Sequence, residues 1–335
     1  MILPGKRVFL PVLSLGIASC AYFNTFYNAQ QYFRDAEREI HKADEGVPPN
    51  QKALDALEKT VQKSTRVVEE YPGSRWWDDA LLLRGKAHYH RGEYALAEAS
   101  FERLIAEAMG SSLVPEARLW ALRCQWKLGY PEIALAGLKE VLDEEGKSRL
   151  SRRDRAAGHE WMAELYLEED QVDSAVHHYV RSSRYLRDAR ERSRIYLKIA
   201  DLAYRRSRFS QALEYYGKVI RVADQPGPLE RAHLQVVKIA RMQGQWDEAT
   251  RQIQALLSEK KLTGIQPELH LELARLYEVQ DRKKEAMDRY RRITEEFPRT
   301  DASAEAYFRL GMLTVETWGD YENSRTFFSR VEQEN

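Results

Sequence analysis

The sequence predicts an all-α fold, a solenoid of helical hairpins, on three observations. Alanine recurs at Ala97, Ala134, Ala175, Ala212, Ala249 and Ala286, at gaps of 37, 41, 37, 37 and 37 residues. Three further columns keep that register. One runs Leu82, Leu119, Glu160, Leu197, Leu234, Leu271 and Phe308; another runs Phe101, Leu138, Tyr179, Tyr216, Ile253 and Tyr290; the last runs Gly85, Leu122, Ala163, Ala200, Val237, Ala274 and Gly311. Within each unit apolar residues fall at helical spacing, and a fixed period of this length is the mark of stacked supersecondary units.

Each element follows from this register. In the first clear unit, Asp78 to Met109, Ala80, Leu81, Leu83 and Ala87 lie toward one side of a first helix (helix A). Arg91-Gly92-Glu93 ends it, since glycine is the usual residue just past a helix end. Tyr94, Ala97, Phe101 and Leu104 then line a second helix (helix B). A small alanine early in helix B lets the two helices approach closely, and helix A of the next unit covers what remains exposed. The 41-residue gap contains Gly146 to Arg155, rich in Lys, Arg and Ser, and reads as a longer surface turn. Gln225-Pro226-Gly227-Pro228 reads as another break between units. The third unit is the most degenerate, with Glu160 and Ser182 in apolar columns. Before the first clear unit, a helix is expected around Asn28 to Ala43 and another from about Lys52 to Glu70, an atypical capping hairpin.

Gly85, Gly92, Tyr94, Ala97, Phe101, Pro298, Leu310, Gly311 and Tyr321 resemble the tetratricopeptide repeat (TPR) pattern, with one extra residue near Trp318 shifting the last register. The resemblance implies a right-handed superhelix of about seven repeats, here with a period of 37 rather than the usual 34. Residues 73–335 form the expected solenoid, and 20–72 an N-terminal anchor segment and capping hairpin.

Residues 1–19 read as a secretory signal. Lys6 and Arg7 are followed by a largely apolar run, Val8 to Ile17, and by the small residues Ala18 and Ser19. Ile17-Ala18-Ser19-Cys20 resembles the lipobox of bacterial lipoproteins, which implies acylation of Cys20. Several acyl chains make a stable anchor where one does not. The other reading is an ordinary secretory signal with a chance cysteine. Ala21, where the enterobacterial sorting pattern retains proteins with Asp, points by analogy to the periplasmic face of the outer membrane. The aromatic run Tyr22 to Tyr27 either sits at the membrane interface, where Tyr is favoured, or caps the first hairpin. The second cysteine, Cys124, falls at an interior helix A position and is expected to be buried.

The chain carries 52 basic and 52 acidic residues, a net charge of zero, which argues against bulk binding of nucleic acid. The sequence has no phosphate loop and no nucleophile elbow, and the eight histidines have no metal-ligand spacing. No cofactor, metal or catalytic residue is expected. The basic clusters around Lys147 to Arg155 and Arg181 to Arg194 read as a solvated turn and helix ends, or as contacts to anionic headgroups or an acidic partner.

The remaining candidate surface is architectural. Stacked hairpins make a concave face from their A helices. Position by position that face comprises Lys86 and Tyr89, Arg123 and Trp126, Asp201 and Tyr204, Lys238 and Arg241, then Arg275 and Glu278. These residues either form a groove for a peptide with apolar and acidic groups, or Tyr89 and Trp126 pack between adjacent A helices. Glu70-Tyr71-Pro72-Gly73-Ser74, then Asp79-Ala80-Leu81 and Gly92-Glu93-Tyr94, resemble the opening repeats of the BamD-like lipoproteins of outer-membrane barrel assembly. That resemblance implies a non-catalytic scaffold binding envelope proteins. A scaffold of another envelope system, in secretion, gliding or cell-wall coordination, is the alternative.

Overall fold

A computed structural model of the chain describes residues 12–42, 47–143, 150–259 and 261–334. Sixteen α-helices follow one another there: α1 Val12–Ile40, α2 Gln51–Glu70, α3 Trp77–His90, α4 Tyr94–Glu107, α5 Val114–Lys127, α6 Pro131–Asp143, α7 Arg152–Glu168 and α8 Val172–Tyr185 form the first half. The second half comprises α9 Ala189–Arg205, α10 Phe209–Val222, α11 Pro226–Met242, α12 Trp246–Ser258, α13 Gln266–Val279, α14 Lys283–Glu296, α15 Asp301–Trp318 and α16 Tyr321–Glu334, with a 3₁₀ turn at Thr263–Ile265. The described residues contain no strand. Odd helices are A helices, even ones B helices, giving seven repeats after an N-terminal hairpin. No helix of the described residues is long and apolar enough to cross a membrane.

The chain forms two compact units, residues 1–171 and 172–335. The division falls inside the third repeat, between α7 and α8, where Glu160 and Ser182 stand in otherwise apolar columns. Within each unit a B helix packs on its own A helix and on the next, and consecutive A helices touch.

Most residues of the columns read from the sequence are core, while Leu122, Glu160 and Leu197 are half-buried and Phe308 is exposed. All six alanines, Ala97 through Ala286, are completely buried. Sixteen residues separate the small helix A position from the large helix B position, and the two match in size: Gly85 with Phe101, Ala163 with Tyr179, Ala200 with Tyr216, Val237 with Ile253, Ala274 with Tyr290. A Cβ added at Gly85 would run into the Phe101 ring, and one at Gly311 would lie 2.7 Å from the Phe328 ring. That last pair is 17 residues apart, as the extra residue near Trp318 requires. In the second repeat the roles are exchanged: Leu122 of helix A fills the space left by Gly137 of helix B.

Each of the seven A–B turns from α3–α4 onward contains one residue in the left-handed region: Gly92, Gly129, Asp170, Ser207, Gly244, Asp281 and Gly319, with φ between 55° and 93°. In six of these turns the next amide donates back five residues, from Glu93 to the carbonyl of His88, Tyr130 to Gln125, Gln171 to Tyr166, Arg208 to Ala203, Gln245 to Ala240 and Arg282 to Tyr277. This is the six-to-one bond of a Schellman turn, which caps orphan carbonyls and reverses the chain.

Three local expectations are corrected. Helix α1 begins at Val12 rather than near Asn28, because nothing between Ala18 and Arg38 breaks a helix and Phe26, Ala29, Phe33 and Ala36 form a stripe that packs inward. Within it, Phe26 is buried and stacked on Trp76 at 5.4 Å, while Tyr27 is half exposed. Of the expected signal segment, residues 1–11 lie outside the described residues, and Cys20 lies on the backbone of α1. Arg152 to Arg155 form the first turn of α7, not a loop: the Ser151 hydroxyl accepts from the Asp154 amide as its N-cap, and residues 144–149 lie outside the described residues. Pro226-Gly227-Pro228 opens α11, where proline's missing N–H costs nothing.

Two substitutions test this fold. Gly85→Val is expected to cost about 1–3 kcal/mol by overpacking, read as a lower denaturation midpoint, while Gly73→Ala, with open space around it, changes little. Ser207→Gly is expected to raise stability by up to about 1 kcal/mol, because it relieves a left-handed serine; an unchanged or lower midpoint would contradict the turn assignment.

Candidate functional site

Consecutive A helices are joined by polar bridges with a recurring offset. Lys86 on α3 pairs with Glu116 on α5 at 2.5 Å. On the second unit, Asp201 pairs with Arg231 at 2.7 Å and Arg241 with Glu272 at 2.7 Å, while Arg275 pairs with Glu305 and Glu278 with Arg309. The partners are 30 or 31 residues apart each time, one period less about two helical turns. Single exposed pairs contribute little, but Glu272 is 1% exposed and held by both Arg241 and Arg275, so its charge is matched on two sides.

In the first unit the helix A face is aromatic. Tyr89 is buried at 7% exposure, with Tyr94 and Trp120 both 5.3 Å from its ring. Trp120 meets Trp161 of α7 edge-on at 5.3 Å. The Arg123 guanidinium lies 4.4 Å from the Trp161 ring centre, 4.8 Å from Tyr89 and 5.4 Å from Trp120. Lys86 lies 5.5 Å over Trp120. Trp126 is 8% exposed and donates its indole N–H to Glu168 of α7 at 2.8 Å, with Lys127 stacked over its ring. Tyr89 and Trp126 therefore pack between adjacent A helices, while Lys86 and Arg123 supply half-buried charge.

In the second unit the same positions are mostly ionic. Asp201 also accepts from the Tyr216 hydroxyl of its own hairpin at 2.6 Å, and Glu278 accepts from Tyr290 in the same manner. Tyr204 reaches the Met242 sulfur at 3.6 Å and lies beside Phe209. Lys238 is half-buried. The sequence reading missed Trp120 and Trp161, although they share a column with Leu83, Lys198, Gln235, Glu272 and Arg309. That column supplies the Trp120 and Trp161 rings to the first unit, and in the second it supplies Glu272 and Arg309 to the ion pairs above.

Burial dominates the titration behaviour. It pushes the Tyr89 hydroxyl and the Cys124 thiol up to about 12, and Cys124 is buried as expected. Burial, then the charge of Arg123, lowers His90 to about 4. Burial, then Arg292 and Arg289, lowers His270 to about 4; its Nδ1 is buried without a partner, and the ring tilts against Phe297. Tyr216 and Tyr290 are raised by burial and by donating to a carboxylate. Among the described residues no group of His, Cys, Asp and Glu is placed to hold a metal ion.

Residues 78–112 and 237–299 match the tetratricopeptide repeat family model, and residues 144–225 match that of soluble NSF attachment protein. The tetratricopeptide match thus falls on α3 and α4 and on the stretch from within α11 to the end of α14. No curated protein matches it along the sequence. Among solved structures it is similar to the C-terminal part of a TPR repeat-containing protein from Cytophaga hutchinsonii, at 17% identity and a TM-score of 0.54, covering 75% of this chain and 95% of that one. It is similar to the apo form of RapI, at 12% identity and a TM-score of 0.59, covering 92% and 86%. A signal transduction ATPase with a tetratricopeptide repeat sensor, from Pyrococcus horikoshii, aligns at 11% identity and a TM-score of 0.53, covering 92% of this chain and 52% of that one. At these identities the likeness is one of fold.

Two measurements check the electrostatics. Glu272→Ala leaves two arginines without their shared carboxylate and is expected to cost about 3 kcal/mol in a denaturant titration. His90 and His270 have folded pKa values below the ordinary 6.5, so the unfolded chain takes their protons first as pH falls. The stability they give is complete above about pH 6.5 and is lost toward pH 4, on the order of 1–3 kcal/mol. Thermal midpoints from pH 7.5 to 4.5 should fall, and less steeply in His90→Phe/His270→Phe.

Proposed function

We propose that this chain is a non-catalytic protein-binding scaffold, held at the periplasmic face of the outer membrane by acyl groups on Cys20. The observation that supports the binding role is that consecutive A helices touch within each unit, so their side chains form a strip along successive repeats. Stacked hairpins use such strips to hold extended or helical segments of other proteins. Export and anchoring rest on the signal-like residues 1–19 and the lipobox-like Ile17 to Cys20. The BamD-like character of Glu70 to Ser74 and Gly92 to Tyr94 favours outer-membrane protein assembly, with a partner subunit or an unfolded barrel segment on the strip. A role in another envelope machine uses the same anchor and strip with different companions.

Affinity purification of the tagged chain from detergent-solubilised envelopes, with mass spectrometry of its N-terminus and of what co-purifies, tests this reading. An acylated Cys20 with a barrel-assembly subunit is the expected result. An acylated Cys20 with secretion, motility or cell-wall proteins changes the machine and keeps the scaffold. An intact Met1 ends the export argument. Cys20→Ala is expected to shift the protein from the membrane pellet to the soluble fraction.

A further inference from the structure

Arg123 breaks the bridging rule of the A helices. Lys86, Asp201, Arg241, Arg275 and Glu278 each meet an opposite charge 30 or 31 residues on. Lys238 has an acidic residue, Glu268, at that offset, although no ion pair joins them. Counting the same way from Arg123, and allowing for the four extra residues ahead of α7, the offset falls on Ala157 and Gly158. Counting without them it falls on Arg153 and Asp154, and Asp154 is turned to Ser151 as part of the α7 N-cap. Arg123 makes no ion pair with any described residue, and its guanidinium lies over the rings of Tyr89, Trp120 and Trp161.

The way those rings hold the guanidinium determines what it accepts. Nε is cut off from solvent without a hydrogen-bond partner, and the two terminal nitrogens bond to no described residue. Aromatic contacts fix the orientation of a guanidinium at little entropic cost, and a guanidinium is more weakly hydrated than an ammonium. The unpaired terminal N–H groups then match a planar carboxylate in geometry as well as charge. Beside this cage lies a cavity of about 260 Å3 between α1, α3 and the start of α7, lined by the apolar Phe26, Phe33, Leu82 and Leu83 and otherwise by polar and charged side chains. Lys86 joins the two features, since it lines the cavity and also lies over Trp120. The strip continues on both sides of Arg123, toward α3 and toward α7, so a polypeptide lying along it passes the cage with chain on either side.

We propose that Arg123, in its cage of Tyr89, Trp120 and Trp161, anchors an Asp or Glu side chain within a partner polypeptide, with a bulky apolar side chain nearby seated against Phe33 and Leu83. This rests on the protein-binding reading above and specifies the chemistry of the partner.

The test uses phage-displayed 12-residue peptides selected on the full chain in detergent micelles, resynthesised with amidated C-termini and titrated by the fluorescence of the tryptophans. Selected peptides are expected to share one acidic residue. Its change to Asn or Gln should weaken binding to the native chain by roughly 10- to 100-fold, and binding to Arg123→Met by less than about twofold. Arg123→Lys, which keeps the charge without the planar fork, should fall between them. Thermal midpoints of both variants identify any loss caused by misfolding, and Arg123→Lys then serves as the folded comparison. Peptides that bind native chain and a folded Arg123→Met equally, or that lack an acidic residue, overturn the proposal while leaving the scaffold reading intact. Binding that needs a free C-terminal carboxylate overturns it in favour of a terminal anchor. Recovery of no peptide, together with no companion in the envelope purification, overturns both readings.

Discussion

Close approach of helix A and helix B is the constraint on which the rest of this structure depends. The hairpin holds only if one helix contributes a small residue where the other contributes a large one, because packed interiors tolerate neither a gap nor an overlap of one methyl group. Gly85 against Phe101 and Ala200 against Tyr216 satisfy it one way; Leu122 against Gly137 satisfies it the other way. The sum of volumes is what recurs, so a column of this chain drifts in identity while its partner column compensates. The same closeness places successive A helices in contact, and that contact gives the bridging charges and the aromatic cage their geometry.

Much of this was legible in the sequence because burial leaves a periodic trace. The alanine column, the Phe/Tyr column and the shifted register near Trp318 all appear in the structure as read. Cys124 is interior for the same reason. What escaped was the chemistry of the surface. Polar bridges between A helices have an offset of 30 or 31 residues, which is not the repeat period, so a search at 37 does not find them. Trp120 and Trp161 do share a column, but the 41-residue gap and the polar members of that column hid them. Helix starts were also misjudged at Arg152 and Pro226, where basic residues and prolines look like a loop until the N-cap position is considered.

The two units use the same scaffold positions to different physical ends. Arg241, Glu272, Arg275 and Glu305 form a chain of alternating charge in which a buried carboxylate is matched on both sides. Such a network contributes less to net stability than to uniqueness, since a helix displaced by one turn would bring like charges together. In the first unit Tyr89, Trp120 and Trp161 replace that network with rings, which pack well but do not neutralise Arg123. One face is therefore electrically closed on itself and the other carries an open charge.

Because six of the A–B reversals are locked by the same main-chain bond, their shape does not depend on which side chain occupies the left-handed position. Asp170, Ser207 and Asp281 adopt the conformation that glycine adopts at Gly92, Gly129, Gly244 and Gly319. The strain of one such residue is small beside the packing of a whole hairpin, so the array absorbs it locally. Divergence can then erase the glycine signature of a repeat while leaving its path through space unchanged. Arrays of this kind will be recognised by shape long after their turn residues have ceased to identify them.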